Sequence, residues 1–195
     1  MSVKRRLTKP IAFLLMFIMF FSVVGSGLLP ISAYAADGPD SVSVTFGSPT
    51  EYDGMEANST EEGGFQGVVT WVKDRFAMQF PSGSIGGDDR GYLYCKTNED
   101  FINHLDSAGE RNKGPITVSV DYYDDPALAG AQFELWYSNN GSAWTPKTTL
   151  SGSGTWKTAN IALNSFTPGG ISGGSDFRFT AKAGSLAVSR IVVSK

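Results

Sequence analysis

The sequence contains few of the residues on which enzyme chemistry most often depends. There is one cysteine, Cys95, and one histidine, His104, in 195 residues. A single cysteine excludes an internal disulfide. Because Cys95 shares a strand face with Leu93, we expect a buried thiol rather than a nucleophile. His104 lies on a short predicted helix, where a surface histidine is favoured over a general base. Zinc-ligand spacings and phosphate-binding loops are absent, so catalysis is disfavoured.

Long hydrophobic runs are confined to the N-terminus. The apolar run Ile11–Val24 follows four basic residues, and Ala33-Tyr34-Ala35 supplies the small residues of a cleavage site. This order is typical of a secretory signal peptide. A retained membrane anchor is disfavoured because the run is shorter than the roughly 20 residues that a spanning helix needs. We therefore expect a cleaved signal peptide over residues 1–35 and one domain over residues 36–195. The domain should be secreted, with no membrane contact after cleavage.

Basic residues are scarce once that segment is removed. It holds four of the 16 basic residues and none of the 19 acidic ones, so the rest of the chain carries 12 basic and 19 acidic residues, a formal net charge of −7. Such a surface repels polyphosphate, which argues against nucleic acid as a partner. The 160 residues after position 35 suit a single domain with a sizeable core. Without a disulfide, the domain must depend on that core for its stability.

Regular alternation of apolar and polar residues is the strongest structural signal. Ile116–Tyr123 places Val118 and Val120 on one face and polar residues on the other, a period of two that indicates a half-buried strand. Gln132–Tyr137 repeats the pattern. Residues 124–131 between these segments are typical of a turn. The two segments are therefore predicted to pair as a central antiparallel hairpin.

Strands of the same kind are predicted through the rest of the chain. They are Ser41–Phe46, Phe65–Val72, Arg75–Phe80, Gly91–Lys96, Trp144–Leu150, Trp156–Leu163, Asp176–Ala181 and Leu186–Val193. Residues 47–64 are predicted as a long polar loop or as a stretch that contains an irregular strand. Asn98–Leu105 is predicted as a helix capped by Asn98. A phase change near Ser189-Arg190 predicts a β-bulge. The fold class predicted is an all-β, two-sheet antiparallel sandwich with one short helix.

Several of these strand motifs resemble a known group of domains. The motifs are Ile116–Asp124 (ITVSVDYYD), Phe133–Tyr137 (FELWY), Gly154–Thr158 (GTWKT), Asp176–Phe179 (DFRF), Tyr92-Leu93-Tyr94 and Leu186–Val193. They resemble jelly-roll modules of secreted bacterial polysaccharide-active proteins, which are similar to carbohydrate-binding modules. The resemblance implies a jelly-roll β-sandwich and a polysaccharide or other glycan as the partner. Such modules often hold a structural calcium ion through acidic groups near the first and last strands. The last strand here has no carboxylate, so no cofactor is expected.

Sugar binding needs flat aromatic rings that stack on pyranose faces, flanked by polar groups that reach the hydroxyls. The outward face of the predicted central pair carries Trp136 and Glu134, opposite Asp121 and Tyr123. The predicted carbohydrate-binding set is completed by Trp144, Trp71, Tyr92 and Arg178. The alternative is that the rings cap or fill the core, which we expect of Trp156 in particular.

Asp121 and Glu134 would lie opposite each other in that pair, and like charges so placed are unfavourable. Arg178 is a plausible ion-pair partner, and a metal ion or a sugar hydroxyl would also compensate. The solvated ion pair is favoured. The loops Gly83–Asp89 and Asp121–Asp125 are rich in oxygen ligands but lack the spacing of a known calcium loop. A structural calcium ion therefore has no specific motif to support it, and no metal site is assigned.

These features favour a secreted, non-catalytic carbohydrate-binding domain that engages a polysaccharide through exposed aromatic rings. A structural or adhesive protein of the cell surface or extracellular matrix, built on the same sandwich, is the first alternative. A small polysaccharide lyase or hydrolase is the second. Carboxylate pairs such as Asp88-Asp89 and Glu61-Glu62 are present, but they are too common to indicate a glycosidase.

Overall fold

The alternating segments form strands that pair into sheets in the computed structural model. The structure describes residues 39–58, 67–80, 84–85, 88–89, 91–102, 115–139, 142–164, 168–181 and 186–195. The predicted signal peptide over residues 1–35 and His104 lie outside the described residues. The described strands belong to one compact unit that spans Asp37–Lys195.

Fifteen strands and one α-helix are found among the described residues. The strands, in chain order, are β1 (Ser41–Thr45), β2 (Glu51–Asp53), β3 (Met55–Asn58), β4 (Val68–Val72), β5 (Arg75–Gln79), β6 (Ser84–Ile85), β7 (Asp88–Asp89), β8 (Gly91–Thr97), β9 (Ile116–Tyr123), β10 (Gln132–Ser138), β11 (Ser142–Trp144), β12 (Thr148–Thr149), β13 (Trp156–Leu163), β14 (Phe177–Ala181) and β15 (Ala187–Ser194). The helix, α1, spans Glu99–Ile102.

Two antiparallel sheets contain all of these strands except β6 and β7, which pair with each other. The first sheet has the order β13-β9-β15-β1-β2, and β5 joins it beside β15 with β4 as its partner. The second sheet has the order β11-β10-β14-β8-β3, and β12 also pairs with β10. The predicted all-β, two-sheet antiparallel sandwich with one short helix is confirmed.

One apolar core lies between the two sheets. Its members alternate along the strands, as Val118 and Val120 do in β9 and as Phe177 and Phe179 do in β14. Aromatic rings join the layers: Tyr122 of the first sheet meets Phe133 of the second with ring centroids 5.0 Å apart. Because each strand buries every second side chain, the remaining side chains of the second sheet face outward.

The predicted pairing of β9 with β10 is wrong, because the two strands belong to different sheets. β9 pairs along its full length with β13 and, on its other side, with β15. β10 pairs with β11, β12 and β14. Between them a 3₁₀ turn at Pro126–Leu128, capped by Asp125, carries the chain across the sandwich. Alternation specifies which side chains a strand buries, but it does not specify which strand lies beside it.

Several local predictions are confirmed. Lys73 and Asp74 connect β4 and β5 as a hairpin, and Lys73 adopts a φ of 59°, a conformation that glycine adopts most readily. The register of β15 against β9 shifts between Val188 and Arg190, where the bulge was predicted. Asn98 caps α1, since its Oδ1 accepts a hydrogen bond from the Phe101 amide at 3.1 Å.

Two further predictions concern residues 47–64 and Cys95. The stretch 47–64, predicted as a loop or an irregular strand, contains β2 and β3. Cys95 is buried as expected, and burial, with a smaller contribution from the charge of Asp176, raises the pKa of its thiol far above the usual range. In the part of the chain that the structure describes, no helix has the length and apolar character needed to cross a membrane.

A buried carboxylate holds the crossover between the sheets in place. Asp124 is fully buried and accepts hydrogen bonds from Ser151 Oγ at 2.7 Å and from the amides of Gly152 and Ser153 at 2.9 Å. Its Oδ2 also lies 2.7 Å from Lys157 Nζ. Burial alone would raise the pKa of Asp124, but the hydrogen bonds from Lys157, Ser151 and Ser153 outweigh it and hold that pKa well below the usual range.

Asp124→Asn is expected to lower the free energy of unfolding by about 2–3 kcal/mol at neutral pH, because a buried ion pair and charged hydrogen bonds are lost. The folded pKa lies below the unfolded value of about 3.9. The stabilisation by the carboxylate is therefore complete above that value and is lost as the pH falls through the folded pKa. Urea unfolding of both proteins across a pH series should show the gap narrowing below about pH 4.

Asp125→Asn is the matched control for that measurement. Asp125 caps the neighbouring 3₁₀ turn by accepting from the Ala127 amide at 2.9 Å, and asparagine caps nearly as well as aspartate. Its effect should be within about 0.5 kcal/mol. An Asp124→Asn deficit that stays constant down to the lowest pH would contradict the role assigned to the carboxylate.

Candidate functional site

The outward face of the second sheet brings together most of the predicted binding residues. Register places Trp144 of β11 beside Trp136 of β10, Trp136 beside Arg178 of β14, and Arg178 beside Tyr94 of β8. At the next outward-facing position of each strand, Glu134 lies beside Thr180, and Thr180 lies beside Tyr92. The intervening residues of the same strands, such as Leu93, Leu135 and Phe179, belong to the core. The candidate site is therefore the polar and aromatic side of strands whose other side builds the sandwich.

Four side chains of this face form a stack that we call the Arg178 column: Tyr92, Arg178, Trp136 and Trp144. The Arg178 guanidinium carbon lies 4.2 Å from the Tyr92 ring centroid and 4.4 Å from the Trp136 ring centroid. Trp136 and Trp144 are stacked with centroids 5.8 Å apart and an interplanar angle of 26°. Guanidinium planes over aromatic faces attract electrostatically, most strongly where water is excluded.

The inner members of the column are shielded from solvent although they point away from the core. Arg178 is only 7% exposed, and its Nη1 donates to the Tyr94 hydroxyl at 3.3 Å. Trp136 is half-buried between Arg178 and Trp144, and its indole Nε1 is buried with no hydrogen-bond partner among the described residues. Glu134 is 4% exposed beside the column. Only Trp144, 47% exposed, presents a large part of its ring to solvent.

This arrangement suits recognition of an amphipathic ring. Trp144 offers a flat apolar surface to the C–H face of a pyranose. Trp136 supports it from behind, and Arg178 and Glu134 place a cation and a carboxylate in the same face. Because the column locks these side chains in the free protein, little rotamer entropy remains to be lost on binding.

The other three predicted residues lie on the first sheet. Asp121 and Tyr123 are in β9 and Trp71 is in β4, so the predicted juxtaposition of Asp121 and Glu134 is wrong. Asp121 Oδ1 instead accepts a hydrogen bond from Thr158 Oγ1 at 2.5 Å. Arg178 cannot be its partner, because Arg178 lies on the opposite sheet.

Tyr123 is occupied by contacts within the first sheet. It is buried, and its ring lies 5.5 Å from that of Trp156. Trp156 Nε1 donates to Asp74 Oδ1 at 2.8 Å, in agreement with the packed role expected of Trp156. Trp71 is 59% exposed at the β4–β5 hairpin, where it meets Phe76 edge-on at 5.0 Å.

Two residues of the candidate face were missed from the sequence. Tyr94 and Thr180 lie on it because each is two residues from a member already identified, Tyr92 and Arg178 respectively, and side chains two apart share a strand face. That spacing was a sufficient signal for both. The adjacency of β8, β14 and β10 was not predictable, because these strands are far apart in the chain.

Metal binding has no support among the residues described. No three histidine, cysteine, aspartate or glutamate side chains come together there as cation ligands. In the loop Asp121–Asp125, the oxygens of Asp124 are already engaged by Ser151, Gly152, Ser153 and Lys157.

Comparison with known proteins shows similarity of fold. No family model and no curated protein matches the sequence. The K2 cleaved adhesin domain of Lys-gingipain has 11% identity and a TM-score of 0.49, over 80% of this chain and 99% of that one. The CBM22-1 xylan-binding domain from Paenibacillus barcinonensis Xyn10C has 11% identity and a TM-score of 0.46, over 80% and 94%. CBM35 from Cellvibrio japonicus Abf62 has 14% identity and a TM-score of 0.39, over 72% and 93%. The expected resemblance to carbohydrate-binding modules is confirmed as a likeness of fold.

Arg178→Lys is expected to lower the free energy of unfolding by about 1–2 kcal/mol, because an ammonium group cannot reproduce a guanidinium stacked between two rings. It should also weaken the far-ultraviolet exciton couplet of the Trp136–Trp144 pair, since Trp136 loses its support. Urea unfolding and circular dichroism measure the two effects. Arg190→Lys, at an exposed position on the first sheet, is the matched control and should change neither. An unchanged couplet in Arg178→Lys would show that the column does not depend on the guanidinium.

Proposed function

We propose that this protein is a secreted, non-catalytic carbohydrate-binding domain that holds a polysaccharide on the outward face of its second sheet. The observation that carries the proposal is the exposed indole of Trp144, stacked on Trp136 at the end of the Arg178 column. Glycan recognition is the function that an exposed flat ring with adjacent buried charges supports best.

The roles of the residues follow from their positions in the stack. Trp144 is the platform that contacts the sugar. Trp136 and Arg178 are positioning residues, because the ring and guanidinium lie behind the platform and fix its orientation. Glu134 and Arg178 are almost fully shielded from solvent, so neither is assigned a hydrogen bond to the sugar.

The exposed area of Trp144 is comparable to the contact made by one sugar ring. A tryptophan side chain offers at most about 250 Å², so 47% exposure of Trp144 corresponds to about 120 Å². Stacking on one face of a pyranose uses a flat apolar surface of this kind.

The proposal includes the finer features expected from the sequence. The first is a jelly-roll connection of the strands, which is supported by the crossings between the sheets at Gly54 and at residues 124–131. The second is secretion directed by residues 1–35. It also includes an extracellular glycan as the partner.

Trp144→Ala is expected to weaken glycan binding by about 10- to 100-fold, because about 120 Å² of apolar contact is worth at most about 3 kcal/mol. Isothermal titration of the wild-type protein and the variant against xylan, a β-1,3-glucan, a galactan and a chitin oligomer measures this. Trp71→Ala is the matched control: Trp71 is even more exposed than Trp144 but lies on the other sheet, so affinity should not change.

Two results would contradict the proposal. Wild-type protein that binds none of these or any wider panel of glycans, yet captures a cell-wall or matrix protein, would favour the adhesive alternative. Release of reducing ends or unsaturated products from the same polysaccharides would favour a hydrolase or lyase.

A further inference from the structure

A cavity lies at the edge of the sandwich, away from the Arg178 column. Its volume is about 290 Å³, and its walls include Tyr52, Glu56, Lys96, Asn98 and Glu99. Tyr52 belongs to β2 at the edge of the first sheet, and Glu56 belongs to β3 at the edge of the second. The cavity therefore opens where the chain passes from one sheet to the other.

The frame of this cavity is fixed by close packing. Gly54 lies at the crossing with a φ of 68°, and a Cβ there would come within 2.7 Å of Val42 Cγ1 and 3.1 Å of Asn98 Nδ2. The Asn98 amide donates to the Gly54 carbonyl at 2.8 Å. Thr97, also in the wall, is buried, and its amide and hydroxyl donate to Asp176 Oδ2 at 2.7 and 2.9 Å. The cavity is thus part of the packed structure.

The walls of the cavity combine an aromatic face with polar groups, as recognition of a sugar ring requires. Tyr52 is 58% exposed and offers an aromatic face to C–H groups. The carboxylates of Glu56 and Glu99 accept hydrogen bonds, and the Lys96 ammonium donates them. Asn98 also lines the cavity, and its Oδ1 accepts a hydrogen bond from the Phe101 amide. A volume just below the usual ligand-pocket range of roughly 300–1,000 Å³ suits one sugar unit rather than a longer segment.

The negative charge around the cavity favours some classes of sugar over others. Glu56 and Glu99 line the cavity, Glu51 and Asp53 flank Tyr52 in β2, and Lys96 is the one basic residue in the described wall. A negative potential repels uronates and sulfated sugars, and it favours uncharged or amino sugars.

We propose that the cavity between Tyr52, Glu56, Lys96, Asn98 and Glu99 is a second glycan site, which takes a single uncharged or amino pyranose unit. It is separate from the Trp144 face. The strands β11 and β3 stand at opposite edges of the second sheet, four strand spacings or about 19 Å apart. One protein molecule therefore holds two glycan segments, either on two chains or at two points of one chain.

Nuclear magnetic resonance titration of the isotope-labelled protein tests this site separately from the Trp144 face. The probes are cellohexaose, xylohexaose, chitohexaose and an oligogalacturonate. The amides of Gly54 and Asn98 report on the cavity, and the indole of Trp144 reports on the column. We expect at least one of cellohexaose, xylohexaose and chitohexaose to shift the cavity amides, and the oligogalacturonate to leave them unchanged.

Three variants separate the two sites. Tyr52→Ala should weaken binding at the cavity by about tenfold or more and leave the Trp144 response unchanged. Tyr52→Phe keeps the ring and should retain affinity within about threefold. Trp144→Ala should leave the cavity amides responsive.

Each of the following outcomes would support or overturn the second site. Cavity amides that stay unshifted while the Trp144 indole responds would overturn the second site and leave the proposed function standing. Cavity amides that respond without the indole would support the second site and overturn the role of Trp144. Shifts that survive Tyr52→Ala unchanged, or that appear with oligogalacturonate alone, would overturn the second site as described.

Discussion

The arginine of β14 is the constraint on which the candidate face depends. Arg178 carries a charge on a strand where both of its chain neighbours, Phe177 and Phe179, are in the core. A cation so poorly exposed is costly unless its charge is compensated. The rings of Tyr92 and Trp136 on either side of the guanidinium supply part of that compensation. The same contacts fix Trp136, and through it Trp144, in orientation.

The sandwich supplies the geometry that the column needs. Tyr92, Arg178, Trp136 and Trp144 come from four different strands, and antiparallel register brings them into neighbouring positions. The crossover anchored by Asp124 sends β9 to one sheet and β10 to the other. If β9 had paired with β10, it would have displaced either β14 or β11 and β12 from an edge of β10. The separation of these two strands leaves both edges of β10 to the strands that carry Arg178 and Trp144.

The two proposed sites differ in construction because they lie in different parts of the fold. The Trp144 face is a platform on regular strands, so its residues alternate and are held by their neighbours across the sheet. The edge cavity is formed where the chain changes sheets, and it depends on Gly54 because no side chain fits at the crossing. One site presents a flat ring with buried charges behind it, and the other surrounds its ligand with exposed polar groups. This difference predicts different sugar preferences at the two sites.

The amino-acid sequence by itself determined the longer strands, the bulge in β15, the capped helix and the buried cysteine, but not β6 and β7 or the break between β11 and β12. The features that it determined depend on neighbours in the chain: alternation with a period of two, a change of phase at Ser189-Arg190, and a capping side chain three residues from the amide that donates to it. It also brought Trp136, Trp144, Tyr92, Glu134 and Arg178 forward as candidates by residue type. Only the tertiary structure decided that these five share one face while Asp121, Tyr123 and Trp71 lie on the other sheet. Strand adjacency depends on the free energy of packing the whole core, to which residues far apart in the chain contribute together, and local periodicity carries no information about that choice.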